Sequence, residues 1–298
     1  MRRIMFRRLL TVFTLLLSVL TIQAQNDSYT MTVELGNGTK LSLNTNEVKE
    51  VSFADGKIVV SGDDLIQTIN NIEDKVNELE ALIYTYHGSN KDHEYVDLGL
   101  SVKWATCNVG ATKPYEYGDY YAWGETEEKT SYTWENYKYC RITREGGDYD
   151  FQLTKYNTSS MYEAVDNKIV LDASDDVAHV KWGGNWRMPT RAEQEELREN
   201  CTWTWYGFDN LEFNGTPGYK VTSNIDGYTD RFIFLPVAGR CDGMYYGNGG
   251  EQGYYWSSSV NPDEEDVMDA YYLGLRSDRV GLYHTVRCYG FSVRPVCP

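Results

Sequence analysis

The chain lacks the common signatures of catalysis and is short of positive charge. His-Glu-x-x-His, Gly-x-Ser-x-Gly and Gly-x-x-x-x-Gly-Lys-Ser/Thr are all missing. Their absence removes the zinc-protease, nucleophile-elbow and P-loop readings. Gly247-Asn-Gly249-Gly250 misses the dinucleotide-binding spacing and reads as a loop. The cysteines, Cys107, Cys140, Cys201, Cys241, Cys288 and Cys297, lie far apart with no Cys-x-x-Cys pair. That spacing excludes zinc-ribbon and thioredoxin-type sites and leaves disulfide pairing or buried free thiols open. Lys and Arg total 28 against 44 acidic residues, a net charge of -16. So acidic a chain repels phosphate backbones, anionic membranes and sulfated glycans, and no nucleic-acid partner is expected.

What is present begins with Arg2, Arg3, Arg7 and Arg8 ahead of an apolar run from Leu9 to Leu20, then Ile22-Gln23-Ala24. This pattern predicts a cleavable signal peptide over residues 1–24, cut after Ala24. The run is broken by Thr11, Thr14 and Ser18, whereas a spanning helix needs about 20 apolar residues. No second long apolar run follows, so the mature chain is not expected to span a membrane. No cysteine stands at the exit, so no lipid anchor is indicated. Cleavage would take the net charge from -16 to -20, because four arginines leave with the leader. The expected location is exported: periplasmic, cell-surface or secreted.

Residues 25–62 read as a small β module. Thr32-Val-Glu-Leu35 runs into Gly36-Asn-Gly38, and Lys40-Leu-Ser-Leu43 alternates after it. Asp55-Gly56 between Val51-Ser-Phe53 and Lys57-Ile-Val-Val60 is a strong hairpin signal. Over residues 63–88 the period changes. Leu65, Ile69, Ile72, Val76, Leu79, Ile83 and Tyr86 are spaced four and three in turn, the seam of a short coiled coil. Lys75 and Glu80 then fall at g and the following e. Ile66 and Leu82 broaden the apolar stripe, which points to a homotrimer formed through residues 65–86. A polar hinge, residues 89–93, leads to a large domain over residues 94–298.

That domain is rich in Trp, Tyr and Gly, with short apolar runs and long irregular connections, so it reads as α+β with sparse helix. Its size lets it bury roughly 70% of its unfolded surface without disulfide staples. One segment has a clear helix start: Thr190 with Glu193 forms a capping box, predicting a helix to about Asn200 with Ala192 and Leu197 inward. Trp104, Trp123, Trp182, Trp186 and Trp256 stand beside small residues and are expected in the core. Arg187 and Arg294, next to prolines, are expected to pair with buried carboxylates.

Several segments form an ordered set across nearly all of residues 94–297. They are Tyr95-Val-Asp-Leu-Gly-Leu-Ser-Val-Lys-Trp-Ala-Thr-Cys-Asn-Val109, Gly118-Asp-Tyr-Tyr-Ala-Trp-Gly-Glu-Thr126 and Trp182-Gly-Gly-Asn-Trp-Arg-Met-Pro-Thr190. Phe234-Leu-Pro-Val-Ala-Gly239, Gly253-Tyr-Tyr-Trp-Ser-Ser-Ser259 and Ser292-Val-Arg-Pro-Val296 complete it. The set resembles the Fibrobacter succinogenes major paralogous domain, which abounds in exported proteins of Bacteroides-type gut bacteria. The resemblance implies a C-type lectin-like fold, related to the formylglycine-generating enzyme and to the variable proteins of diversity-generating retroelements. In those variable proteins the C-terminal stretch carries the ligand face.

The last fifty residues carry the palette of an adaptable binding surface, with aromatic and Arg side chains set among Ser and Gly. Ser277-Asp278-Arg279 is expected to be a turn. Tyr272, Arg276, Arg279, Tyr283, His284, Arg287 and Tyr289 are the candidate ligand-binding residues, the last four read as lying in the final connection. No catalytic or metal-ligating set is assigned and no cofactor is expected. Asn261-Pro262-Asp263 with the acids after it is an acidic turn with oxygen ligands of the kind calcium uses. The expected function is non-enzymatic recognition or adhesion, with a glycan or protein as ligand. The alternatives are a structural or assembly subunit of a cell-surface appendage, and an oxidase of the formylglycine-generating type using Cys288.

Overall fold

The computed structural model describes residues 17–25, 28–35, 40–44, 50–54, 57–61, 87–90, 92–145, 148–162, 165–263 and 266–298, with side chains from Asn90 onward outside residues 145–149. The chain divides into two compact units, Met1–Leu82 and Ile83–Pro298. The coiled-coil seam at residues 65–86 lies outside the described residues.

In the first unit, β1 (Leu17–Gln25), β2 (Ser28–Leu35) and β3 (Lys40–Asn44) form an antiparallel sheet in that order. Thr30 stands opposite Asn44, and Glu34 opposite Lys40. The pair β4 (Glu50–Ala54) and β5 (Lys57–Ser61) forms the hairpin that Asp55-Gly56 predicts, with Ala54 opposite Lys57. In the uncut chain, the segment read as the end of the leader is therefore strand β1.

The second unit is mostly β with few helices. Four strands tie its two ends together in one sheet: β6 (His87–Asn90), β7 (His93–Val96), β8 (Lys103–Ala105) and β19 (Val296–Cys297), in the order β19-β8-β7-β6. The described residues among 89–93, a span read from sequence as a hinge, belong to the β6–β7 hairpin, where Asn90 stands opposite His93. The order along the chain continues with β9 (Cys140–Glu145) and β10 (Asp148–Leu153), a hairpin, and then β11 (Cys201–Tyr206), β12 (Gly218–Ser223) and β13 (Phe232–Pro236), an antiparallel sheet. A small hairpin follows, β14 (Arg240–Asp242) with β15 (Tyr245–Gly247), and then the sheet β16 (Gln252–Val260), β17 (Asp269–Arg276) and β18 (Arg279–Val286).

Helix α1 (Val177–Trp182) starts where the Asp176 carboxylate accepts the Ala178 and His179 amides, and it stops at Gly183, whose φ is 66°. Helix α2 (Arg191–Asn200) has the expected capping box, Thr190 with Glu193. Its inward residues are Leu197 and Gln194 rather than Ala192, which is exposed. Gln194 is buried because its amide donates to the carbonyls of Tyr255 and Trp256 at 3.1 and 3.2 Å, tying the helix to β16.

Two apolar clusters fill the domain. One gathers Trp123, Trp182, Trp186, Trp256 and Phe291; the other joins Trp104, Leu197, Tyr255, Leu273 and Leu275. Burying side chains of this size is worth about 3 kcal/mol each. Three indole N–H groups also find carbonyls. Trp123 donates to Ser257, Trp256 to Tyr121 and Trp186 to Asn90, all within 2.8 Å.

Arg187 forms the expected carboxylate pair, a two-pronged contact with Glu193 at 2.7 and 2.5 Å. Arg294 does not. Its buried guanidinium donates to Asn108 Oδ1 at 2.8 Å and to the carbonyls of Ala105, Thr106 and Phe234 at 2.9–3.0 Å. Carbonyl dipoles do the work of a counter-ion and join β8, β13 and the chain's end. Replacing Arg294 with Met takes the donor from two buried carbonyls and one part-buried one, and a buried carbonyl costs about 1–3 kcal/mol when unsatisfied. We predict that Arg294→Met lowers stability by about 3 kcal/mol or more in urea unfolding, while Arg276→Gln stays within about 0.5 kcal/mol.

Candidate functional site

The three-stranded sheet β16–β17–β18 sorts the residues of the C-terminal stretch by strand alternation. Tyr272 stands opposite both Trp256 and Tyr283, Gly274 opposite Tyr254 and Gly281, and Arg276 opposite Gln252 and Arg279. These nine share one face. Leu273, Leu275, Val280 and Leu282 take the other face and pack into the second core cluster. Ser277 and Asp278 make the two-residue turn between β17 and β18.

Along the first face runs a line of aromatic rings. Tyr283 and Tyr272 are 5.7 Å apart, as are Tyr272 and Tyr254. Phe291 packs 4.1 Å from Trp256 and 5.1 Å from Tyr272, forming a floor. Gly274 and Gly281 make room for the outermost ring. A Cβ on either would lie within 2.9 Å of the Tyr283 ring. Tyr283 therefore lies over the sheet and keeps 41% of its surface exposed. Burial pushes the Tyr272 hydroxyl up to about 12, helped by the neighbouring Tyr254 and Tyr283, so it stays protonated.

The line ends on Arg240. Its guanidinium lies 5.6 Å from the Tyr254 ring and 5.2 Å from that of Tyr289, with one Asp242 oxygen at 3.5 Å. Backbone pairing brings it there, since Cys241 and Gly290 exchange amide hydrogen bonds of 2.8 and 2.9 Å.

The seven residues expected to bind ligand are thus not one group. Tyr272, Arg276, Arg279 and Tyr283 share the aromatic face, and Tyr289 borders it across Arg240. Tyr283 and His284 lie in strand β18 rather than in the final connection, so adjacent residues point to opposite faces. His284 sits with Asp269, which its Nδ1 meets at 2.8 Å, and with Tyr271, whose other neighbour is the Arg191 guanidinium 4.2 Å from the ring. Arg287 does not reach the surface: it is 0% exposed. It donates to the carbonyls of Lys155, Tyr156 and Val267, and stands 5.2 Å from the Trp123 ring. Burial lowers its pKa. It is a brace under the face, a role that the aromatic-and-Arg palette conceals.

Arg240 and Tyr245 belong to the same surface, with the buried ring of Tyr254 against Arg240, and were not anticipated. The run Met244-Tyr-Tyr-Gly-Asn-Gly249 has the same composition as the C-terminal stretch, which was the available signal.

The brace has its own support. Tyr156 has a φ of 59°, which aims its carbonyl at Arg287. Its amide and that of Asn157 donate to Asp166 at 2.9 Å, and its hydroxyl donates to Asp175 at 2.7 Å. Burial pushes the Asp175 carboxyl up, but bonds from Lys155, Tyr139, Tyr156 and Lys138 outweigh it and hold the carboxyl far below its usual 3.8.

Asp266, Asp269 and His284 offer ligand atoms within 4.8 Å of one another and are the described group that could hold a cation. Asn261, in the turn with calcium-type ligands, is buried and already engaged. Its Oδ1 accepts the Asp263 amide at 3.2 Å and the Tyr271 hydroxyl at 3.1 Å. All six cysteines are free. Cys288 is buried, which pushes its thiol up to about 12; a protonated, enclosed thiol is a poor nucleophile.

Compared with known proteins, the chain matches no family model, no curated protein and no solved structure.

Because the folded pKa of Asp175 is depressed, its stabilising contribution is complete above about 3.8 and fades as pH falls below that value. In acid titrations of thermal stability, the wild type should lose ground to Asp175→Asn below pH 3.8; parallel curves would remove Asp175 from the support of the brace.

Proposed function

We propose that this is an exported, non-enzymatic recognition protein. It engages a glycan or protein ligand through the Tyr283–Tyr272 face of the β16–β17–β18 sheet. The observation that carries this reading is the exposure of Tyr283, Arg276 and Arg279 on one side of a sheet whose Leu273, Leu275, Val280 and Leu282 pack into the core on the other. Tyr and Arg combine large contact area with directed hydrogen bonds at little entropic cost, which is why they dominate binding hot spots. The mostly β domain with its two ends joined in one sheet, together with the motif set from Tyr95 to Val296, supports a C-type lectin-like domain of the Fibrobacter succinogenes major paralogous type.

In this reading residues 65–86 group three copies, and grouping raises the effective strength of weak single sites by 10² or more. The protein should then lose its oligomeric mass in Ile72→Asp with Leu79→Asp, measured by light scattering; an unchanged mass removes the coiled coil.

The binding test is an array of glycans and host proteins probed with residues 25–298. A double variant, Tyr283→Ala with Arg279→Gln, is expected to lose the hits. His284→Ala, on the opposite face, is expected to keep them. Arg287→Ala is unsuitable, since removing a buried brace confounds binding with unfolding. Retention of the hits by the double variant, or their loss in His284→Ala alone, would reject this face as the binding surface.

A further inference from the structure

Resting on that reading, we infer that the ligand is a carboxylate-bearing polysaccharide, a polyuronate chain lying along the aromatic face from the Arg276/Arg279 pair to Arg240.

The charges on the face run against those of the chain. In a protein of net charge -16, Arg276, Arg279 and Arg240 mark the two ends of one line of tyrosines. Arg276 and Arg279 stand directly opposite each other in the ladder. Like charges in that position destabilise a hairpin. Among the described residues the one ion pair of either, Arg276 with Asp278, spans 3.9 Å on exposed side chains. An anion between the two guanidinium groups would relieve their repulsion.

Arg240 is prepared differently. Two tyrosine rings hold its planar group in place, and Asp242 touches only one nitrogen, at 3.5 Å. A guanidinium fixed this way keeps donors for a second, two-pronged carboxylate contact, a geometry that lysine cannot supply.

The rings between the arginines choose the rest of the ligand. Tyr283 is exposed, Tyr272 is half-buried 5.7 Å from it, and Tyr254, a further 5.7 Å on, is buried and backs the surface against Arg240. Beyond Arg240 the line gains Tyr245, which is 68% exposed and lies across Gly247. Stacked pyranose rings offer C–H groups to aromatic faces, and their carboxylates would meet the arginines at intervals. A protein partner fits less well. Protein interfaces are built around an apolar centre, and here Leu273, Leu275, Val280 and Leu282 are all turned to the other side of the sheet. The chain's overall charge sets a further limit: a densely sulfated polymer is repelled, so the face suits sparse carboxylates.

The test uses the full mature chain, residues 25–298, titrated with polygalacturonate, with neutral dextran and with heparin. Binding to polygalacturonate alone is expected. It should weaken with added salt, and it should fall about tenfold in Arg240→Gln, the loss expected for one charge-assisted contact. Arg276→Gln with Arg279→Gln should cost at least as much. Arg191→Gln, on the opposite side of the sheet, reports on non-specific charge loss and should leave affinity unchanged. Equal binding to dextran, stronger binding to heparin, or indifference to Arg240→Gln overturns the inference. So does failure to bind any of the three polymers while Tyr283→Ala still abolishes capture of a protein on the array, an outcome that leaves the recognition reading standing. If Tyr283→Ala changes no binding at all, that reading fails as well.

Discussion

Arg287 carries its charge into an interior where, among the described residues, no carboxylate lies within ion-pair distance. The chain meets that charge with the carbonyls of Lys155, Tyr156 and Val267 and with the face of Trp123. Removing an ion from water costs several kcal/mol even after relaxation. These carbonyls must therefore be delivered to one point from two distant stretches of chain. Tyr156 adopts a left-handed backbone to do so, held by Asp166 and Asp175. Val267 stands two residues before β17, and Arg287 follows directly after β18. Both roots of the β17–β18 hairpin are thus pinned to the loop that precedes α1, and the hairpin's register and tilt follow from that anchor.

A hairpin held at its roots can spend its length on display. One side of β17 and β18 supplies leucine and valine to the core around Trp104 and Leu197. The other side buries Ala270 and packs Tyr272 against the first core cluster, and toward the turn it leaves Tyr283, seated on two glycines, with Arg276 and Arg279 at the surface. This division separates stability from recognition. Changes at Arg276, Arg279 or Tyr283 alter what the face can touch, whereas changes at Arg287 or Arg294 alter whether there is a face. The free thiols fit the same picture. The domain is held by buried aromatics and guanidinium groups, with no disulfide among the six cysteines.

Local features of the chain were legible from sequence. The capping box at Thr190 and Glu193, the Asp55-Gly56 hairpin, the Ser277-Asp278 turn and the five core tryptophans all follow from short-range rules. Arg287 was not legible, because composition cannot distinguish an arginine that touches a ligand from one that holds a loop. The opposed orientations of Tyr283 and His284 could have been read from strand alternation, had residues 279–286 been recognised as a strand. Gly281 breaks that apolar pattern, and its reason appears only when the Tyr283 ring is seen lying over it. Arg240 reaches the face through backbone pairing between Cys241 and Gly290, a contact about fifty residues long in sequence that no local signal announces. The polar segment before His93 reads as a hinge by composition, yet His87–Asn90 forms the outer strand of the sheet because β7 offers it an edge.

The claim at the centre of this account is that one side of the C-terminal sheet meets the ligand and the other does not. Oxidative footprinting of residues 25–298, with and without polygalacturonate, measures this residue by residue. Protection of Tyr283 and Tyr245, with His284 and Tyr271 unchanged, is the predicted result. Protection of His284 and Tyr271 with Tyr283 left exposed would place the ligand on the helix side and contradict it.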